Sequence, residues 1–140
     1  MKKAIVVGIV ILIVIVVAYY FISPAFKVVE LNDVPPSTTS IKSGTLIKDA
    51  HDVSGTVKII ESEGKKILRF ENLNTINGPD LYIYLATDTQ AKDIIDLGTI
   101  KATKGNVNYD IPDNVDLAKY NNVLIWCKSY HVLFSHAQLA

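Results

Sequence analysis

Near its N-terminus the chain carries nineteen consecutive uncharged, mostly apolar residues, Ala4 to Ile22 (AIVVGIVILIVIVVAYYFI). As a helix this run rises about 28 Å at ~1.5 Å per residue, which matches a bilayer hydrocarbon core of about 30 Å. Tyr19, Tyr20 and Phe21 at its end are typical of a membrane–water interface. The run therefore predicts one membrane-spanning helix, with the lipid bilayer as the partner of residues 4–22.

Two lysines, Lys2 and Lys3, precede the run. By the positive-inside rule they keep the N-terminus in the cytoplasm and place the C-terminal part outside. The competing interpretation is a cleaved signal peptide, whose apolar region is normally about 7–15 residues long and ends in a small-x-small cleavage site. The present run is longer and ends in YYFI, which is followed by SPAF. We therefore favour an uncleaved signal anchor at residues 1–22 of a single-pass cell-membrane protein, with an extracytoplasmic C-terminal domain.

The residues after the anchor divide into a spacer and one domain. Residues 23–40 are rich in Pro, Ser and Thr, and the pair Pro35-Pro36 favours a stiff, extended linker. Residues 41–140 are long enough for one compact core. The formal net charge is zero and no basic block occurs, so nucleic acid is not expected as a partner.

The domain has the pattern of an all-β protein. Short apolar or alternating segments are separated by turn residues, and only Ile41–Lys42 and Asp116–Tyr120 suggest a helical turn. Seven to eight strands at this spacing predict a single β-sandwich or a barrel-like fold. The predicted strands are Gly44–Lys48, Val53–Glu61, Ile67–Asn72, Leu81–Ala86, Ile95–Ile100, Val107–Ile111, Val123–Lys128 and Tyr130–Phe134.

Two of these segments carry finer detail. Ser62–Lys65 (SEGK) is predicted to be a hairpin turn in which Gly64 adopts positive φ. In Leu81–Ala86, strand alternation places Tyr82 and Tyr84 on one face and aliphatic side chains on the other.

The chain contains one cysteine, Cys127, in the segment VLIWCKSY. A single cysteine cannot form an internal disulfide, and an odd cysteine in an exported chain needs an explanation. It can pair with another chain, bind a metal or haem, act as a redox thiol, or pack in the core. Strand alternation places Cys127 on the face of Ile125 and opposite to Trp126. Because free cysteine is among the most buried residue types, the residues alone favour an inert core position.

The three histidines are weak candidates as local partners of Cys127. On a continuous strand His131 would lie about 13 Å from Cys127 between α-carbons, too far for one metal ion. His136, near the chain end, is expected to be a solvated histidine. His51, in the segment Ala50-His-Asp-Val-Ser54, can approach Cys127 only through tertiary structure.

Signatures of common enzymes are missing from the sequence. It contains no GxSxG, HExxH, CxxC, P-loop or CxxCH motif. The acidic segment Asp88–Asp96 lacks the ligand spacing of a calcium loop and is expected to be a solvated loop. An independent hydrolase is therefore not expected.

A series of collinear blocks across Ser43–Leu139 resembles the DM13 family, a small extracytoplasmic β-rich domain proposed to transfer electrons. The blocks are Gly44–Leu46, His51–Val57, Leu68–Asn72, Gly78–Leu85, Leu97-Gly98, Gly105 with Tyr109, Ile125–Lys128, Tyr130-x-Val-x-Phe134 and Ala137-x-Leu139. Tyr130 stands where the family commonly has Phe, which keeps the aromatic ring.

The resemblance implies a role for specific residues. The family cysteine, suggested to be a redox thiol or to hold a prosthetic group such as haem, corresponds to Cys127. His51 and Asp80 match a family histidine and the aspartate of the Gly-Pro-Asp block, so the implied metal or cofactor ligands are Cys127, His51 and Asp80. A thiolate–imidazole pair suits copper, and a cysteine axial ligand suits haem.

Two classes of function follow from the sequence. The first is a membrane-anchored redox module that uses Cys127, with His51 as a possible second ligand. The second is a non-catalytic accessory or structural subunit of a membrane or cell-envelope complex, in which Cys127 only packs. In neither class is the chain expected to be an enzyme on its own.

Overall fold

The computed structural model describes residues 1–23, 27–36 and 39–140. It begins with one helix, α1 (Lys2–Ile22). Lys2–Phe21 has a mean hydropathy of 3.0 and is not buried against the rest of the protein, so α1 is long and apolar enough to cross a membrane. This agrees with the predicted membrane-spanning helix.

Ten strands follow in the described part of the chain, arranged in two open five-stranded sheets. The first sheet has the order β1-β8-β5-β4-β2 and the second the order β3-β10-β9-β6-β7. The strands are β1 (Glu30–Asn32), β2 (Ser40–Thr45), β3 (Ile47–Lys48), β4 (Val53–Ser62), β5 (Lys65–Thr75), β6 (Leu81–Ala86), β7 (Ile94–Thr99), β8 (Lys104–Ile111), β9 (Asn122–Cys127) and β10 (Val132–Gln138).

The core lies between the two sheets and follows the alternation of the strands. Every second residue of a half-buried strand points to the same face, so apolar residues at that period collect on the inner face. The first sheet contributes three fully buried residues, Leu68 and Phe70 of β5 and Val107 of β8. The second sheet contributes Ile83 of β6 and Ile125 of β9, which are also fully buried. The predicted all-β sandwich is confirmed, with more strands than the seven or eight predicted.

The predicted hairpin between β4 and β5 is confirmed. Ser62 pairs with Lys65, and the two residues between them, Glu63 and Gly64, have φ of 54° and 75°. Positive φ at both central positions is the two-residue turn whose twist suits a β-hairpin.

The predicted strand Tyr130–Phe134 is wrong at its start. β9 ends at Cys127, which pairs with Val132, and the four residues between them form a turn. His131 has φ of 53° and its N–H donates to the carbonyl of Lys128 (3.4 Å). Positive φ does not fit an extended strand, so the strand begins only at Val132. The helical turn suggested at Ile41–Lys42 is also wrong, because both residues belong to β2.

A short strand lies inside the segment predicted as a spacer. β1 pairs in parallel with β8, joining Leu31 to Gly105. Asp33 then accepts a hydrogen bond from the N–H of Asn108 (2.8 Å), and its carbonyl accepts one from Arg69 (3.1 Å). Residues 24–26 and 37–38 of the predicted spacer lie outside the described residues. The boundary at residue 40 stays a prediction, but part of the spacer packs on the domain.

The buried guanidinium of Arg69 explains why this segment docks. Arg69 is only 4 % exposed although it lies on the outer side of β5, between the core residues Leu68 and Phe70. Its Nε donates to Glu71 (3.2 Å) and its Nη1 also donates to Asn108 Oδ1 (2.9 Å). A buried charge is stable only when its donors are satisfied, and the spacer carbonyl accepts one of the hydrogen bonds that Nη1 of this arginine donates.

Candidate functional site

Cys127 is the last residue of β9 and lies at one end of the sandwich. It is a free cysteine, 1 % exposed, on the inner face together with Ile125. Its direct neighbours across the sheet are Leu81 of β6 and Val132 of β10. The predicted alternation is confirmed, because Trp126 lies on the opposite face. The thiol is therefore part of the apolar core.

Asp80 lies beside Cys127 because it precedes Leu81, the sheet partner of the cysteine. The carbonyl of Asp80 accepts a hydrogen bond from the N–H of Lys128 (3.0 Å). Its carboxylate accepts a short hydrogen bond from the Ser129 hydroxyl (2.5 Å). These two contacts tie the start of β6 to the turn that follows Cys127.

His51 lies in the loop between β3 and β4 and packs on a core aromatic ring. Its imidazole packs against Phe134 with 4.0 Å between ring centroids and a tilt of 47° between the ring planes. The backbone N–H of His51 donates to the Phe134 carbonyl (3.2 Å). Phe134 belongs to the same buried cluster as Cys127 and Leu81. A β-carbon added at Gly78 would lie 2.9 Å from the Phe134 ring, so glycine leaves room for this ring.

The topology thus collects the three predicted residues at one end of the sandwich, which we call the Cys127 end. It comprises the end of β9, the start of β6 and the β3–β4 loop, which carry Cys127, Asp80 and His51 respectively. Sequence spacing could not bring them together, since His51 and Cys127 lie far apart in the chain. The pairing of the strands places these residues at the same end of the sandwich.

The arrangement of these residues differs from a formed metal centre. Within residues 1–23, 27–36 and 39–140 no group of three or more His, Cys, Asp or Glu side chains is placed to hold a metal ion. The Asp80 carboxylate is bound to Ser129 and the His51 ring is packed on Phe134. The present donor set therefore does not fit a copper shell.

The other two histidines occupy unlike positions. His131 is exposed in the turn after β9. His136 was expected to be solvated, yet it lies in β10 with only 20 % of its side chain exposed. Its Nδ1 is 2.6 Å from Asp49 Oδ2. The β3–β4 loop carries Asp49 to the outer face of β10, a contact that local sequence could not reveal.

An aromatic cluster on the outer face of the second sheet was not among the predicted site residues. Tyr82 lies directly opposite Trp126 in the β6–β9 pair, and the Tyr82 and Tyr84 rings are 6.0 Å apart. Lys128 lies 4.6 Å above the Tyr82 ring. Burial raises the pKa of Tyr84 to about 12, so this phenol keeps its proton at neutral pH. The alternation in β6 predicted the tyrosine face; the cross-strand register adds Trp126.

One polar group in the core near Cys127 has no partner. Ser135 lies opposite Ile125 on the inner face, is fully buried, and its hydroxyl makes no hydrogen bond within the described chain. It lies next to Phe134, where the register of β9 and β10 shifts. The core around Cys127 thus contains a second weakly polar group.

Comparison with protein families matches residues 45–139, more than half of the chain, to the model described as electron transfer DM13. The chain belongs to the DM13 family. The match includes Cys127, His51 and Asp80 and begins after α1. Neither the curated proteins nor the solved structures give a significant match to this DM13 chain.

Proposed function

We propose that this protein is a membrane-anchored, extracytoplasmic electron-transfer module in which the thiol of Cys127 gains and loses electrons. The observation that carries the proposal is the family match, which covers the domain holding the only cysteine of the sequence. The apolar helix supplies the anchor, and Lys2 and Lys3 before it support a cytoplasmic N-terminus.

The burial of Cys127 determines how electrons would reach it. At 1 % exposure the sulfur has almost no direct contact with solvent. Trp126 is its chain neighbour, and the indole lies opposite Tyr82 on the outer face of the sheet. We infer that electrons pass between Cys127 and the surface through Trp126 and Tyr82.

The redox step balances as a one-electron reaction. The Cys127 thiol loses one electron and its proton to give a thiyl radical. The electron goes to a one-electron acceptor on a partner protein, and the proton is released at the end of β9, where the turn meets solvent. Reduction reverses both transfers.

Copper or haem ligation by Cys127 is a distinct form of the proposal. The donors that the family suggests, His51 and Asp80, lie at the same end but are held by Phe134 and Ser129. This arrangement does not fit a metal shell within the described residues. Metal analysis of the purified chain tests the ligation: stoichiometric copper or haem iron that is lost in Cys127→Ser would support it.

Electron exchange by the full-length chain in nanodiscs tests the thiol mechanism. The reduced protein should donate about one electron per chain to a small one-electron oxidant, as expected for one thiol per chain. Cys127→Ser should abolish this donation. Trp126→Phe should slow it without changing the stoichiometry, and Tyr130→Phe, a change outside the aromatic route, serves as the matched control. Equal electron donation by Cys127→Ser would overturn the proposal.

A second function is favoured by the packing of Cys127. Free cysteine commonly fills a core as a small hydrophobe, and here it lies among apolar residues of the main core. We propose as the alternative an accessory or structural subunit, which binds a membrane or envelope complex without chemistry at Cys127. Absence of electron exchange in the wild-type chain, together with an intact fold, would favour this alternative.

A further inference from the structure

The chain enters the domain at the Cys127 end. Val29 is bonded in both directions to Thr103: its N–H donates to the threonine hydroxyl (3.0 Å), and its carbonyl accepts from the threonine N–H (2.8 Å). Thr103 directly precedes β8, and its carbonyl binds the N–H of Thr75 at the end of β5. β5 leads on to the loop before β6, where Leu81 pairs with Cys127. The segment between α1 and the domain, residues 23–29, which we call the tether, therefore leads to the same end of the sandwich as Cys127.

The tether is short. α1 ends at Ile22, and among the described residues after it Val29 is the first that bonds to the domain, which leaves few residues between α1 and the fold. Because a fully extended chain covers at most about 3.3–3.6 Å per residue, the span from Ser23 to Val29 cannot exceed roughly 22 Å. That is less than the length of β5, whose eleven residues extend about 33 Å. Because the tether is shorter than β5, the opposite end of the domain cannot come as close as the Cys127 end to the point where α1 leaves the membrane.

The Cys127 end also carries side chains suited to a lipid interface. Ile76, in the loop after β5, is 41 % exposed, and Tyr130, in the turn after β9, is 59 % exposed. Amphipathic aromatic rings favour the headgroup level of a bilayer. Tyr130 and the loop of Asn77–Pro79 line a cleft of about 430 Å³ together with Tyr19–Phe21 of α1, the interfacial end of the anchor.

We propose that the Cys127 end rests on the bilayer that holds the anchor, with Tyr130 and Ile76 in contact with the lipid headgroup region. The occupant of this surface is the lipid interface itself, because the tether reaches no further and the anchor's own interfacial aromatics lie beside the same loop. The docking rests on the anchor spanning a membrane and is independent of the chemistry of Cys127.

Quenching of a single tryptophan by brominated lipids tests the docking in full-length protein. In a Trp126→Phe background, Tyr130→Trp reports from the Cys127 end. Asp113→Trp is the matched control, since Asp113 is exposed in the turn after β8 at the opposite end, roughly 30 Å away. The protein is placed in nanodiscs with lipids brominated close to the headgroups.

The expected result is that the Tyr130→Trp chain loses most of its emission and the Asp113→Trp chain keeps it. Ile76→Trp repeats the measurement at a second position and should also be quenched, so that one poorly folded variant does not decide the outcome. Equal quenching at both ends, or none at positions 76 and 130, would overturn the proposal. Electron exchange by Cys127 does not enter this measurement, so its failure is distinguishable from failure of the redox function.

Discussion

Replacement of Cys127 by serine and by alanine distinguishes a packed thiol from an accessible one. Serine keeps nearly the same shape but places a hydroxyl among apolar neighbours, whereas alanine removes one heavy atom and leaves a small void. If the surroundings of the sulfur are dry and apolar, as its 1 % exposure indicates, serine is the worse replacement.

The magnitudes follow from the two kinds of loss. An unpaired buried hydroxyl costs about 1–3 kcal/mol in protein mutational data. Loss of one buried heavy atom costs about 1 kcal/mol, transfer and residual void together. We therefore expect the free energy of unfolding to fall in the order Cys, Ala, Ser, with Cys127→Ser about 1 kcal/mol below Cys127→Ala.

Ser135 supplies the control for this experiment. Its hydroxyl is already buried without a partner, so Ser135→Ala should leave stability unchanged or raise it. The double variant Cys127→Ser, Ser135→Ala tests whether the two hydroxyls bond each other, because independent sites should be additive. A non-additive loss would mean that the new serine had found a partner.

The assay is urea unfolding of the full-length chain in mild detergent, followed by the emission of Trp126. A Cys127→Ser chain as stable as Cys127→Ala, or more stable, would refute a dry apolar environment for the sulfur. In that case polar or solvent contact at Cys127 would have to be assumed, and the core-packing explanation would be lost.

Three further predictions concern the first sheet and the Cys127 end. The hydrogen bond from Lys58, with a further one from Arg69, lowers the pKa of Glu71 despite partial burial. Because the folded-state pKa of Glu71 lies below the ordinary value of 4.5, the ionised carboxylate stabilises the fold above that pH, and the free energy of unfolding should fall as the pH drops through and below it. Glu71→Gln should reduce this loss of stability at acid pH, measured by unfolding at a series of pH values. Arg69→Met should lower the free energy of unfolding by about 2–3 kcal/mol, because it leaves its hydrogen-bond acceptors unpaired, and should speed amide hydrogen exchange in β1. Unchanged exchange in β1 would show that Arg69 does not hold the spacer segment on the domain. Gly78→Ala should lower the free energy of unfolding in urea by about 1–3 kcal/mol, because the added methyl group would contact the Phe134 ring. Gly64→Ala is the comparison: the added carbon contacts no neighbour there, so only the positive φ of the turn is strained.

Much of the fold could be predicted from local patterns. Alternation in β6 places Tyr82 and Tyr84 on one face because side chains of a strand point to opposite sides at period two. The turn at Gly64 was predictable because positive φ there suits a residue without a β-carbon. Where such patterns were ambiguous the prediction failed: Tyr130 looks like a strand residue, but the chain turns there because His131 adopts positive φ.

The candidate site was predictable only in part. Cys127 was evident as the single cysteine, and its inward side followed from alternation. The packing of His51 against Phe134 and the hydrogen bond from Ser129 to Asp80 join segments dozens of residues apart. No periodicity encodes such contacts, because they depend on which strands become neighbours and in which register.

The sequence by itself determined the apolar helix and the all-β class and singled out Cys127 as the candidate residue, since each depends on composition or on spacing within a few residues. The tertiary structure alone decided that the spacer adds a strand to the first sheet and that Arg69 is buried beneath it. It also decided that the chain enters the domain at the Cys127 end, through a contact between Val29 and Thr103 that spans 74 residues. A contact between residues so far apart in the chain forms only when both sheets pack, and no local stretch of sequence specifies that packing.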